Sequence, residues 1–381
     1  MTSQYLYAFL QPGEHPPPLL GNASRLGMRT SLDASRFLYH LLFYSPNPWK
    51  LEQEYLEELR KISGSASQIV DELSAPESPD VDDWARRVSS CLPPLAHGAT
   101  SVLPSLTDLA NQYFNHVGLA LLNLSGKKTP DVSLHSAPDT DRVNAIKVLL
   151  REAKEHTRKP ALKLIVQLRD IPTCPITGFE FRQSEHKKLG MFSQMGVGPE
   201  LAHIIPFSLH SKTQAHVALE AFTGGTITAE NVVGFINAPE NALLLQHDAH
   251  QEYDNLFSWG IEAVSDSDGI VRYYSRLVRP GYLSGLTKDQ MDKELFFGTN
   301  ILNKHPDSLD NLIGTPDPRF CNTMLAIMRV LHASGTADVL DELREDDEHS
   351  RESGSGMGIS NTFDDLLAVK LDLASMSSRV S

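Results

Sequence analysis

An α+β fold is expected for this 381-residue chain, with helices gathered in the N-terminal region, short strands in the middle and an acidic, partly disordered tail at the end. Three observations lead there. Up to about residue 156 apolar side chains recur at helical spacing. From Cys174 they come instead in short runs punctuated by Gly and Pro, and an Asp-Gly pair joins two alternating runs, the mark of a β-hairpin. From Thr336 onward eleven acidic residues stand against four basic ones, around the stretch RESGSGMGISN, a composition too polar and charged to build a core.

In order along the chain, SLDASRFLYHLLFY (31–44) places a Ser and an Asp ahead of a helically spaced apolar face. A second helix is expected after Pro48, through EQEYLEELRKI, and the Ser-, Pro- and Glu-rich stretch 63–79 reads as a linker. SLTDLANQYFNHVGLALLNL (105–124) is apolar enough for a core helix, and DRVNAIKVLLREAKEH (141–156) is amphipathic. After CPITGFEF come ELAHIIP, a loop with FTGGT, the apolar run NALLL and the helix-like QHDAHQEYDNLFSW. The pair GIEAV and IVRYYSRL follows, joined by SDSDG. The expected organisation is a helical region of unknown role over 1–140, a catalytic-type domain with a preceding basic helix over 141–285, and a helical then acidic region over 286–381.

The net charge of −14 argues against a general polyanion binder, yet residues 142–188 carry eleven basic against five acidic side chains. Lys187 and Lys188 end that segment and are candidates for phosphate contacts. Three widely spaced cysteines fit neither a disulfide framework nor a four-thiolate zinc site. No apolar run approaches the roughly 18 residues of a membrane span, and MTSQYLYAFL lacks the basic start of a signal peptide. An intracellular protein, of cytoplasm or nucleus and not secreted, is the expectation.

The candidate chemistry lies between residues 200 and 254. His203 sits in an apolar run that stops at Pro206, Asn241 begins NALLL, and His250 and Asp254 are four apart, on one helix face and at the spacing of two ligands to one ion. Alone, each has an ordinary structural reading: a core histidine, a turn asparagine, a surface helix pair. Together and in this order they resemble the HNH endonucleases, whose core is two antiparallel strands and a helix around a metal, the ββα-metal fold. The likeness is greatest to the HNH domain of many fungal proteins, through C-x-x-T-G (Cys174, Thr177, Gly178), A-H-I-I-P (202–206), N-A-L-L-L (241–245) and H-x-x-x-D (250–254). It covers about 170–275.

The resemblance implies hydrolysis of phosphodiester bonds in DNA, with RNA the lesser expectation. His203 would be the general base, as a side chain titrating near neutrality suits. His250 and Asp254 would hold one divalent ion, Mg, Mn, Ni or Zn, as Lewis acid. Asn241 has two open roles: fixing the loop through amide hydrogen bonds, or lending an oxygen to the metal. Many HNH enzymes carry a metal ligand just before the first histidine, where this chain has Ala202; His247, Asp248, Glu200 and His210 are the nearby sources of a third donor, His247 foremost. Ala202 is also what favours an alternative, a catalytically degenerate HNH-fold binding or scaffold protein with a protein partner on its helical region. Ile204, Ile205, Leu243, Leu244, Leu245, Tyr253, Phe257 and Trp259 are the expected core, with Cys174 as a packing residue.

Overall fold

The structure is a computed structural model, and it describes residues 31–57 apart from 49, 52 and 56, then 109–119, 142–154, 160–170, 173–181, 198–210, 212–279, 286–298 and 313–341 apart from 339. The linker 63–79, Lys187, Lys188, Cys91 and the tail beyond 341 lie outside the described residues. Among the described residues no helix is long and apolar enough to cross a membrane. The chain divides into two compact units, one of residues 1–119, 221–225 and 330–381, the other of 120–220 and 226–329.

In the first unit helix α1 (Ser31–Tyr44) buries Phe37, Leu38, Leu41 and Leu42, the i, i+1, i+4, i+5 spacing of one apolar helix face. Phe37 meets Phe114 edge to face, with ring centroids 6.0 Å apart. Residues 109–119 are helical, but Phe114–Leu119 widen into a π turn rather than continuing the α-helix expected there. Gly118 allows this, because a Cβ on it would lie 2.9 Å from the Phe114 ring.

The second unit is built on a strand pair. Strand β1 (Pro199–His203) runs antiparallel to β2 (Ala242–Gln246), with Glu200 opposite Leu245 and His203 opposite Ala242. Every residue of β2 is buried, because the pair is covered on both sides. Helix α2 (Arg142–Lys154) packs on α3 (Pro160–Asp170), and α3 packs on β2. Helices α4 (Thr213–Thr223) and α5 (Ala229–Phe235) fill the connection between the strands, α5 opening with a capping box between Thr228 and Asn231. Helix α6 (His247–Asp254) leaves β2 directly and packs back on both strands.

A second sheet has the order β3–β4–β5, from Trp259–Ser265, Val271–Leu277 and Glu294–Leu295. The Asp-Gly hairpin joins β3 to β4. Its Asp266 carboxylate accepts the N–H groups of Asp268 and Ile270 at 3.0 and 2.9 Å, and Gly269 takes φ +77°. Helix α7 (Pro318–Ser334) lies close on β3: Gly260 has no room for a Cβ, which would come 2.9 Å from Leu325. Asn322 of α7 bonds both the N–H and the C=O of Ala263, at 2.8 and 2.9 Å. Trp259, fully buried, ties α6 to β3 by donating its indole N–H to the Ala249 carbonyl at 3.1 Å.

The basic stretch 142–188 is not one face. Lys147, Arg151 and Lys154 are exposed on α2, but Lys163 is buried and Arg169 is 1% exposed. Arg169 faces inward because Asp170 pairs with it through both carboxylate oxygens, at 2.7 Å each, so its charge is matched where water cannot reach.

Candidate active site

The strand β1 ends at His203 instead of running through Ile205 and Pro206, and Asn241 is the reason. It closes a single 3-10 turn, Pro239–Asn241, just before β2, and its backbone carbonyl accepts the Ile204 N–H at 2.8 Å. Its side chain then takes over the next residue: Oδ1 accepts the Ile205 N–H at 2.7 Å, and Nδ2 donates to the carbonyls of Ile205 and Ile236 at 2.9 and 3.1 Å. At 1% exposure, with its amide oxygen on a backbone N–H, Asn241 does the first of its two open jobs, fixing the chain next to His203.

Arg169 holds the other side of the same turn. Its guanidinium donates to the carbonyls of Pro239 at 2.6 Å and Ala242 at 2.7 Å, which bracket Asn241, and to Gly314 at 3.0 Å. Its role was invisible in the sequence, where Arg169 and Asp170 read as ordinary charged residues; their position at the end of an apolar helix was the available signal. His203 lies beside the 3-10 turn Phe207–Leu209, its ring 5.9 Å from that of Phe207, on which His210 stacks at 5.8 Å. His216 contacts the Leu209 carbonyl through Nε2 at 2.6 Å, holding that turn from α4.

Helix α6 presents the ion-binding candidates. Its first turn is capped by Gln246, whose side-chain oxygen accepts the Ala249 N–H and whose amide donates to Asp248 at 2.7 Å. His250 and Asp254 do share a face, with Nε2 and Oδ2 4.0 Å apart. This is beyond hydrogen-bond reach, yet within the span of two donors each about 2.1 Å from one ion.

Of the four candidate sources of a third donor, Glu200 comes closest to His250. It reaches from β1 to the start of α6 and meets two imidazoles at the same 2.9 Å, but in different ways. The ring N–H of His247 is aligned on Oε1 in a hydrogen bond. Nδ1 of His250 is as near to Oε2, shut off from water, but not aimed at it. The two imidazoles, His250 first, hold the Glu200 carboxyl down at about 2, against the partial burial that pushes it up. Among the described residues no three His, Cys, Asp or Glu side chains form a ligand cluster. The group therefore offers an ion two donors, His250 and Asp254, with Glu200 behind the first and His247, mostly in solvent, behind Glu200. The His250 ring lies between two carboxylates, Nδ1 beside Glu200 and Nε2 toward Asp254, and its buried Nδ1 makes no hydrogen bond, a set of groups whose chemistry fits a cation.

Cys174 and the turn after it brace this region. The N–H of Gly178 donates to the Cys174 carbonyl and that of Cys174 to Phe179, both at 2.9 Å, while the buried thiol accepts the Gln246 N–H at 3.4 Å. The backbone at Gly178 takes φ +71°, which suits glycine. The eight expected core residues are all buried.

No curated protein and no solved structure matches the chain. The turn at Cys174, the paired strands, the asparagine clamp and the histidine-bearing helix all fall inside residues 174–261, which match the family model described as HNH endonuclease, so the chain carries a nuclease-type domain of that family.

Proposed function

We propose that this domain hydrolyses phosphodiester bonds in DNA, with His203 as general base and one divalent ion held by His250 and Asp254. The observation that carries the reading is the strand end at His203, where Asn241 fixes the two residues that follow, Ile204 and Ile205, in the same strand pair that supports His250 and Asp254. A base that must take a proton from water needs a fixed position, which the strand end gives His203, and imidazole is a side chain whose chemistry suits that task. The ion, when bound, stabilises negative charge on the phosphate and the leaving oxygen. His250 and Asp254 hold it, Asn241 and Arg169 keep the strand pair in register, and Lys187 and Lys188 are the proposed phosphate contacts. Nothing in this set reads a base edge, so cleavage without strong sequence preference is expected.

The second reading, a degenerate HNH scaffold, draws on one observation: Ala202 is buried at the position of a usual ligand, and two donors remain. Nicking of supercoiled plasmid by the full chain across Mg, Mn, Ni and Zn, beside a folded His203→Ala variant, separates the two. Metal-dependent nicking lost in the variant, by 100-fold or more, is the expected result. Equal inertness of both proteins, with no ion bound, would favour the scaffold.

A further inference from the structure

Helix α2 carries four bases and one acid in a chain of net charge −14, and the nuclease reading gives it no task. Its buried side chains Ile146 and Ala153 are seven apart, on the side that packs inward. Lys147, Arg151 and Lys154 are exposed at i, i+4 and i+7, so they form one row along the helix, about 10 Å from first to last. Glu152 follows Arg151 directly and so leaves the helix about 100° round the axis from it, off the row. Among the described residues none of the three bases is in an ion pair, whereas Arg272, Arg276 and Arg319 each are. The helix dipole favours bases in a last turn, which accounts for Arg151 and Lys154 but not for Lys147, a turn earlier.

We infer that this row holds the phosphate backbone of duplex DNA beside the cleavage point. The inference deepens the nuclease reading and rests on it for the choice of DNA as the polyanion. Charge complementarity carries it: three unpaired cations spaced along a rigid rod match a strand whose phosphates recur along its length, and such contacts position a duplex without reading its sequence. The row is fixed in relation to the strand pair, because α2 packs on α3, and α3 packs on β2 and grips the turn of Asn241 through Arg169. It stands one helix layer outward from β2, which makes it a contact to the flanking duplex and not to the scissile phosphate. Helix α2 also lies upstream of residue 174, where the family match begins, so this surface belongs to the chain and not to the matched domain.

The test is equilibrium binding of a labelled DNA duplex by the full chain in EDTA, where binding is read without cleavage, between 50 and 200 mM salt. The triple variant Lys147→Gln, Arg151→Gln, Lys154→Gln keeps good helix formers on the face. It should flatten the slope of log affinity against log salt by about 2.7, so that the wild type's advantage shrinks about 40-fold over that range. A control set on exposed lysines elsewhere, Lys50→Gln, Lys288→Gln and Lys293→Gln, changes the net charge equally and should leave the slope near the wild-type value. Lys147→Arg with Lys154→Arg should keep it too. No binding by the wild type at 50 mM salt, equal slopes in wild type and triple variant, or equal flattening by the control set each overturns the inference. So does tighter binding of polyglutamate than of the duplex, which would give the face to an acidic protein segment. Should the triple variant not fold, Lys147→Gln alone, expected to flatten the slope by about 0.9, decides. Binding with the expected slopes but no nicking in any metal would sink the nuclease reading and leave the row standing; nicking with unchanged slopes would do the reverse.

Discussion

At the scale of single residues the site depends on polar groups that make backbone bonds. Asn241 uses its amide in both directions, accepting from Ile205 and donating to Ile205 and Ile236. Asn241→Asp keeps the shape and reverses the donor edge, leaving a buried carboxylate facing two carbonyl oxygens. It should cost about 3 kcal/mol, near the top of the range for an unsatisfied buried group, seen as a lower urea midpoint with an unchanged slope. Asn241→Ala, which removes the conflict along with the bonds, should cost less. A stability change no larger than that of an exposed substitution such as Val217→Ala would mean that the loop next to His203 is held by something else.

At the scale of elements the unit is a strand pair gripped between α3 and α6. Arg169 is the grip on one side: one guanidinium serves Asp170 and three carbonyls. Arg169→Met should destabilise by about 3–5 kcal/mol, because it strands Asp170 in a dry interior. The double variant with Asp170→Leu should recover the part due to the stranded charge but not the part due to the carbonyls, which a double-mutant cycle in urea measures. Full recovery would show that the carbonyl bonds contribute nothing net.

The same elements show what could be read in advance. The hairpin was legible from the Asp268-Gly269 pair, whose glycine takes the positive φ of the turn, and α6 from the helical spacing of His250 and Asp254. The core of β2 was legible as an uninterrupted apolar run. Arg169 was not, since a side chain that bonds carbonyls leaves no complementary residue type in the sequence. Glu200 was legible only as one of four possible donors; its meeting with His247 and His250 takes the register that sets it opposite Leu245, two residues before His247. The end of β1 at His203 was missed because the apolar pattern continues through Ile205, while a side-chain amide takes the place of the strand ladder.

At the scale of the whole molecule the issue is charge. Binding a polyanion with a chain of net charge −14 demands that the acid be kept away from the bound strand. Residues 345–381 hold eight acidic and three basic side chains, and such a segment competes with nucleic acid for any basic surface it can reach. Removing them should tighten DNA binding several-fold at low salt and less at high salt, because screening weakens repulsion and mimicry alike. Filter binding at 50 and 200 mM salt checks this; equal affinity of both chains at both salts would leave the tail without an electrostatic role.

Arg169 and Asp170 lie before residue 174, where the family match begins. A fragment trimmed to 174–261 would keep His203, Asn241, His250 and Asp254 and still lose the donor to the carbonyls on either side of Asn241. The portable form of this site therefore starts no later than Pro160, with α3 included. In a transplant to another scaffold, the helix upstream would travel with the histidines as part of the same machine.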